Sequence, residues 1–164
     1  MDHILQRVVG ASRMSLLDGY SGYNQISIHE HYRDKTAFTA PWGTFHYSKM
    51  PFGLKNAGAT FQRAMDLAFA NEKDVFLVVY LDDLTVFSKY DEEHMYHLKT
   101  VFQKCRKYGL SLNPKKSLFA MEEGKLLGKI ISKDGIHIDP ARVEAIQQID
   151  LPRTRRKFSI LMVR

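Results

Sequence analysis

The chain has 164 residues and a mass of 19.0 kDa, with 45% hydrophobic and 26% charged residues. That is enough apolar material for one domain-sized core, and it excludes wholesale disorder. The longest apolar run, Val75 to Leu81, is too short to cross a bilayer, and the single cysteine, Cys105, cannot close an internal disulfide. The start lacks the basic-then-apolar pattern of a secretory leader, so an intracellular protein without a membrane partner is expected.

Charge is unevenly spread. Residues 1–102 carry 10 Lys/Arg against 12 Asp/Glu, whereas residues 103–164 carry 14 against 6. A second part with a net charge of +8 suits a polyanionic partner, since each neutralised phosphate releases counterions. A merely soluble basic surface has the same composition.

Strand and helix patterns alternate with short breaks and no repeat or linker, which points to one α+β unit. Ser15 to Gly19 reads as a short buried strand that ends beside an acid, Asp18. Thr36–Ala40 and Thr44–Ser48 flank Pro41-Trp-Gly43 as a hairpin. Asn56 opens a helix with Phe61, Ala64, Met65, Ala68 and Phe69 on its apolar face and Gln62, Arg63 and Asp66 opposite. Phe76–Tyr80 and Leu84–Phe87 are strand runs separated only by Leu81-Asp-Asp83, a tight hairpin. A helix from Asp91 to about Tyr108 follows, striped by Met95, Leu98, Phe102 and Cys105, capped by Asp91 and closed by Gly109. Leu126–Ser132 and Ile136–Ile138 bracket Lys133-Asp-Gly135 as a further hairpin, and Asp139-Pro140 begins a last helix.

Asp18, Asp82 and Asp83 stand at strand ends, where acids are costly to hold near a core unless something neutralises them. Hard oxygen ligands on rigid strands favour magnesium or manganese, and two such ions about 3.5–4 Å apart serve phosphoryl transfer. Taken alone, Asp82-Asp83 reads better as a polar hairpin turn than as a metal site. His29-x-His31 and His94-x-x-His97 lack cysteine or acidic partners at zinc spacing and read as surface histidines. Cys105, on an apolar stripe, reads as a small buried hydrophobe.

The surroundings of the acids carry more. Tyr80-Leu-Asp-Asp83 resembles the polymerase signature of reverse transcriptases, and Leu17-Asp-Gly-Tyr-Ser-Gly-Tyr-Asn-Gln25 resembles the first acidic motif of that family. Met50-Pro-Phe-Gly-Leu-Lys-Asn-Ala-Gly-Ala-Thr-Phe-Gln62 matches the motif between them, and Leu127-Gly-Lys-Ile-Ile-Ser-Lys-Asp-Gly135 resembles the segment that grips the primer. In this order and spacing the motifs are similar to those of gypsy-type LTR retrotransposons, including the elements of plant genomes, over residues 1 to about 156. The resemblance implies the reverse transcriptase palm: a ferredoxin-like antiparallel sheet backed by helices, with most of the fingers and thumb missing.

It also implies roles. Asp18, Asp82 and Asp83 would hold two Mg²⁺ or Mn²⁺ ions, Tyr23 would exclude a 2′-hydroxyl, and Phe52, Gly53 and Tyr80 would line the nucleotide site. Lys116 would protonate departing pyrophosphate, while Leu127 and Gly128 would set the primer end. The expected partners are an RNA or DNA template-primer and dNTPs. Residues 1–150 would form the palm, with part of the fingers, and 151–164 a divergent tail. The start beyond the finger strands and the altered reading after Arg156 are expected of a truncated piece. The rival expectation is an inactive retroelement relic that only binds nucleic acid.

Overall fold

The computed structural model describes residues 2–148 apart from Ser21 and Asp82, so the expected boundary at 150 and the tail 151–164 lie outside the described residues. The elements run α1 (Asp2–Val8), β1 (Arg13–Gly19), α2 (Glu30–Arg33), β2 (Phe38–Ala40), β3 (Gly43–Phe45), α3 (Ala57–Ala68), β4 (Leu77–Tyr80), β5 (Asp83–Ser88), α4 (Asp91–Tyr108), β6 (Leu112–Met121), β7 (Glu123–Leu126), β8 (Lys129–Ser132), β9 (Gly135–Ile138) and α5 (Pro140–Gln147).

The central sheet has the order β4-β5-β1-β6 with antiparallel neighbours. Its frame is β1–α3–β4–β5–α4–β6, the ferredoxin-like βαββαβ arrangement expected from the sequence. Both faces of this sheet are covered. Leu17, Leu77, Val79, Leu84 and Val86 face α3 and α4, where Phe61, Met65, Leu98, Val101 and Cys105 complete one core. The alternate residues Met14, Val78 and Phe87 face a second core with Leu5 and Val8 of α1 and Leu126 and Ile131 of the β7–β8 hairpin. Period-two alternation with both sides apolar explains the continuous hydrophobic run of β4. Burial pushes the Cys105 thiol up to about 11, so it stays protonated and packs as a hydrophobe.

Gly124 makes the second core possible. A Cβ there would stand 2.6 Å from the buried Met14 sulfur and 3.3 Å from Leu16, so any larger residue would force the Met14 side chain to shift where β7 crosses β1.

Helix α4 is rotated from its expected phase. Its buried stripe is His94, Leu98, Val101 and Cys105, while Met95 is 74% exposed and Phe102 sits at the rim. Asp91 is the first helical residue rather than a side-chain cap: it pairs with Arg13 at 3.2 Å and accepts from Ser12 Oγ at 2.7 Å. Gly109 ends the helix at φ +67°, as expected, with the Leu110 N–H reaching the Cys105 carbonyl. Asn56 precedes α3 without a side-chain capping bond, whereas Asp139 does cap α5, accepting from the Ala141 N–H at 3.1 Å.

The reading of His94 and His97 as surface residues is corrected by the same rotation. The His94 ring is buried between Ser15 Oγ (2.7 Å) and Ser88 Oγ (2.8 Å), and Ser88 also meets His97 Nδ1 at 2.8 Å. Phe76 stacks on His97 at 4.1 Å. Burial lowers the pKa of both rings. At His94 the charges of His97 and Arg13 act with it against Asp91, and Glu93 opposes it at His97. The unfolded chain therefore takes up more protons as pH falls below about 6.5, so stability is full above that value and is lost progressively beneath it. The melting temperature is expected to drop by a few degrees between pH 7 and pH 5. In His94→Gln that part of the pH dependence should flatten, which thermal melts followed by circular dichroism would reveal.

Candidate active site

Two strand ends bring the acids together. In the β1–β5 register Asp18 lies directly opposite Asp83, and in the β4–β5 register Tyr80 lies opposite Asp83. Directly opposed residues of an antiparallel pair share a face, with Cα atoms about 4.5–5.5 Å apart. By alternation Asp18, Asp83 and Tyr80 share the face of Met14, Val78 and Phe87, beyond the point where β7 covers β1. Asp18 is half-buried and Asp83 is exposed. Asp82 lies outside the described residues. Among the described residues no three His, Cys, Asp or Glu side chains converge, so the described part of the acidic site is a facing carboxylate pair.

The connection between β4 and β5 is held from below. Leu81 adopts φ +52°, a conformation disfavoured for a non-glycine residue. Gln62 of α3 accepts from the Leu81 N–H at 3.2 Å, and its Nε2 reaches the Asp66 carboxylate at 3.1 Å and the Val79 carbonyl at 3.5 Å. One amide thus ties α3 to the end of β4 and to the first residue of the turn. From sequence, Gln62 read as part of a polar helix face and as the last residue of the Met50–Gln62 motif. Neither place gave a sign that it reaches a neighbouring hairpin.

Two of the residues expected around the nucleotide, Tyr23 and Phe52, also meet. Tyr23 makes edge contacts with Phe52 (ring centroids 5.2 Å apart) and with Phe61 (5.6 Å). Phe52 is 62% exposed, and Gly53 beside it takes φ +94°, which glycine alone adopts without strain. The segment carrying Tyr23 is fixed by Gln25, whose amide donates to the Ser111 carbonyl (2.9 Å) and accepts from the Ser111 N–H (2.7 Å). Tyr23 therefore stands as a half-buried ring anchored on one side by α3 and on the other by the start of β6.

Leu127 and Gly128 form the two-residue loop between β7 and β8, with φ +53° and +74°. Two left-handed residues in succession match the turn whose twist suits a hairpin. Arg142 of α5 crosses close over Gly128, and a Lys125–Asp139 ion pair ties α5 to the same small sheet. Lys116 is exposed on β6, and among the described residues no ion pair joins it to an acid. It lies in an irregular stretch, where β1 residues Leu16 and Asp18 pair with Leu118 and Asn113.

Residues 2–131 match the reverse transcriptase (RNA-dependent DNA polymerase) family. The chain belongs to this family. This reverse transcriptase chain is 37% identical over 149 residues to the retrovirus-related Pol polyprotein from transposon gypsy of Drosophila melanogaster, covering 91% of the chain and 14% of that polyprotein. It is 38% identical over 136 residues to the enzymatic polyprotein of Cauliflower mosaic virus (strain NY8153), covering 83% of the chain and 20% of that protein. Among solved structures, the foamy viral protease-reverse transcriptase in complex with RNA/DNA hybrid superposes with a TM-score of 0.84 at 26% identity, over 97% of this chain and 21% of that one. The same protein in complex with dsDNA gives 0.85 at 26% identity, over 97% and 33%. The reverse transcriptase chain thus spans a small part of each relative.

Proposed function

We propose that this chain catalyses RNA-directed DNA polymerisation, joining a dNMP to a primer 3′-hydroxyl on an RNA or DNA template. The observation that carries the reading is the opposition of Asp18 and Asp83 at one ladder position, inside the stretch shared with the family. Carboxylates fixed on neighbouring strands are a hard-oxygen donor set, which fits Mg²⁺ or Mn²⁺ better than an ion that seeks thiolate or imidazole. Asp18, Asp82 and Asp83 would hold two such ions, which when bound lower the cost of charge developing on the attacking and departing oxygens.

The remaining work falls to the chain's own groups. The Tyr23 ring, braced by Phe52 and Phe61, lies under the incoming sugar and leaves no room for a 2′-hydroxyl. Phe52, Gly53 and Tyr80 line the nucleotide site, and the Leu127–Gly128 turn bears on the primer end. The primer 3′-hydroxyl loses its proton to water as its oxygen bonds to the α-phosphorus, the bond to pyrophosphate breaks, and the ammonium of Lys116, exposed on β6, gives a proton to the leaving oxygen. A template-primer partner is supported by the foamy viral relatives, which are in complex with RNA/DNA hybrid and with dsDNA, and by the basic residues 103–164.

Primer extension on an oligo(dT)-primed RNA template, run separately with magnesium and manganese, tests the proposal. Extension dependent on the divalent ion is the expected result. Salt-sensitive template binding without extension, the same in wild type and Asp82→Asn, would instead identify a relic that only binds nucleic acid. In the same assay Gln62→Ala is expected to extend about tenfold more slowly, a loss of about 1.4 kcal/mol, because the turn bearing Asp82 loses its only described tie to α3 through Leu81. Template affinity measured by fluorescence anisotropy should stay unchanged.

A further inference from the structure

The pairing of β1 with β6 breaks beside Asp18. Between the pairs Leu16↔Leu118 and Asp18↔Asn113, β6 spends five residue steps against two on β1, so Pro114, Lys115 and Lys116 bulge out of the ladder. A bulge of that size removes the backbone acceptors that an unbroken strand would offer. The Asp18 N–H points toward β6 and is met by a side chain instead: Ser117 Oγ accepts from it at 3.2 Å. The same hydroxyl donates to the Asn113 carbonyl at 2.7 Å, across the mouth of the bulge. Ser117 is 8% exposed, and the Lys115 N–H is held inside the bulge by Asn113 Oδ1 at 3.2 Å.

We infer that Ser117 is a positioning residue: its hydroxyl fixes the backbone of Asp18 and closes the bulge that carries Lys116. The inference rests on the polymerase reading above and deepens it. One oxygen takes both jobs because a hydroxyl accepts and donates at once. Its loss would leave a half-buried N–H unpaired and free the strand end on which a metal-holding carboxylate sits. A carboxylate placed a fraction of an ångström away still exists but coordinates less well.

The test compares wild type, Ser117→Ala, and the nearly isosteric pair Ser117→Thr and Ser117→Val, all in the full chain. Three quantities are read: exchange of the Asp18 amide by ¹⁵N NMR, Mn²⁺ binding by water-proton relaxation, and the separate kcat and KM for dNTP in primer extension. Ser117→Ala and Ser117→Val should speed Asp18 exchange and weaken Mn²⁺ binding, each about tenfold. They should also lower kcat about tenfold while leaving KM for dNTP within about twofold, and Ser117→Thr should restore all three. Wild-type behaviour of Ser117→Ala in amide exchange or in Mn²⁺ affinity overturns the inference, as does a Ser117→Thr variant no better than Ser117→Val. Should Ser117→Ala fail to fold, the Thr/Val pair decides alone. If wild type neither binds Mn²⁺ nor extends a primer, the polymerase reading falls and this role falls with it. If wild type does both and the variants match it, only the role of Ser117 falls.

Discussion

Primer extension by Asp18→Asn or Asp83→Asn is expected to fall by at least about 10³-fold, roughly 4 kcal/mol of transition-state stabilisation. The two carboxylates face each other across one position of the β1–β5 ladder, and each substitution removes one negative charge while keeping size and shape. Like charges directly opposite on a sheet destabilise it, so the folded chain should tolerate the change or melt slightly higher. Lost activity with an unchanged or raised melting temperature separates a reactive role from a structural one. Extension that survives in both variants would remove the acids from the chemistry. Asp82→Asn belongs in the same series and is expected to behave likewise.

Tyr23→Ala is expected to lower the preference for dNTP over rNTP by about 100-fold, close to 3 kcal/mol of discrimination. The ring is held edge-on by Phe52 and Phe61, so it cannot swing aside to admit an extra hydroxyl. Those contacts also make the residue structural. Each aromatic pair contributes about 0.5–1.5 kcal/mol, so the variant should melt lower as well. The ratio of incorporation efficiencies is therefore the proper readout, since a general loss of folded protein cancels from it. Tyr23→Phe keeps the ring and should keep the selectivity. Unaltered selectivity in Tyr23→Ala would mean that the sugar is read elsewhere.

Much of this architecture was legible in the residues themselves. The β4–β5 hairpin, the Gly109 cap, the Asp139 cap and the β8–β9 turn follow from local chemistry that no tertiary contact overrides. The phase of α4 was not legible. Met95 and Phe102 are as apolar as the residues that are buried, and only Ser15 and Ser88, on strands distant in sequence, give His94 polar partners inside. Helix periodicity fixes the spacing of a stripe but not which side meets the sheet. The support of the site was hidden for a related reason. Gln62 read as part of a polar helix face and Ser117 carried no structural reading, because a hydrogen bond to a backbone N–H nineteen or ninety-nine positions away leaves no local pattern. Strand β6 was not read from the sequence at all, and the five-against-two mismatch beside Asp18 exists only once β1 is its neighbour.

The glycine under Met14 has a further consequence. Because β7 rests directly on β1 at Gly124, the β7–β8 turn and the Asp18 end of β1 hang from one strand. Strand β1 then acts as a gauge block: the gap between the turn assigned to the primer and the acids assigned to the reaction is set by side-chain thickness at a single crossing. A larger residue at 124 would alter that gap while leaving every reacting group chemically intact. Such a variant would be an enzyme with all its parts and the wrong calibration.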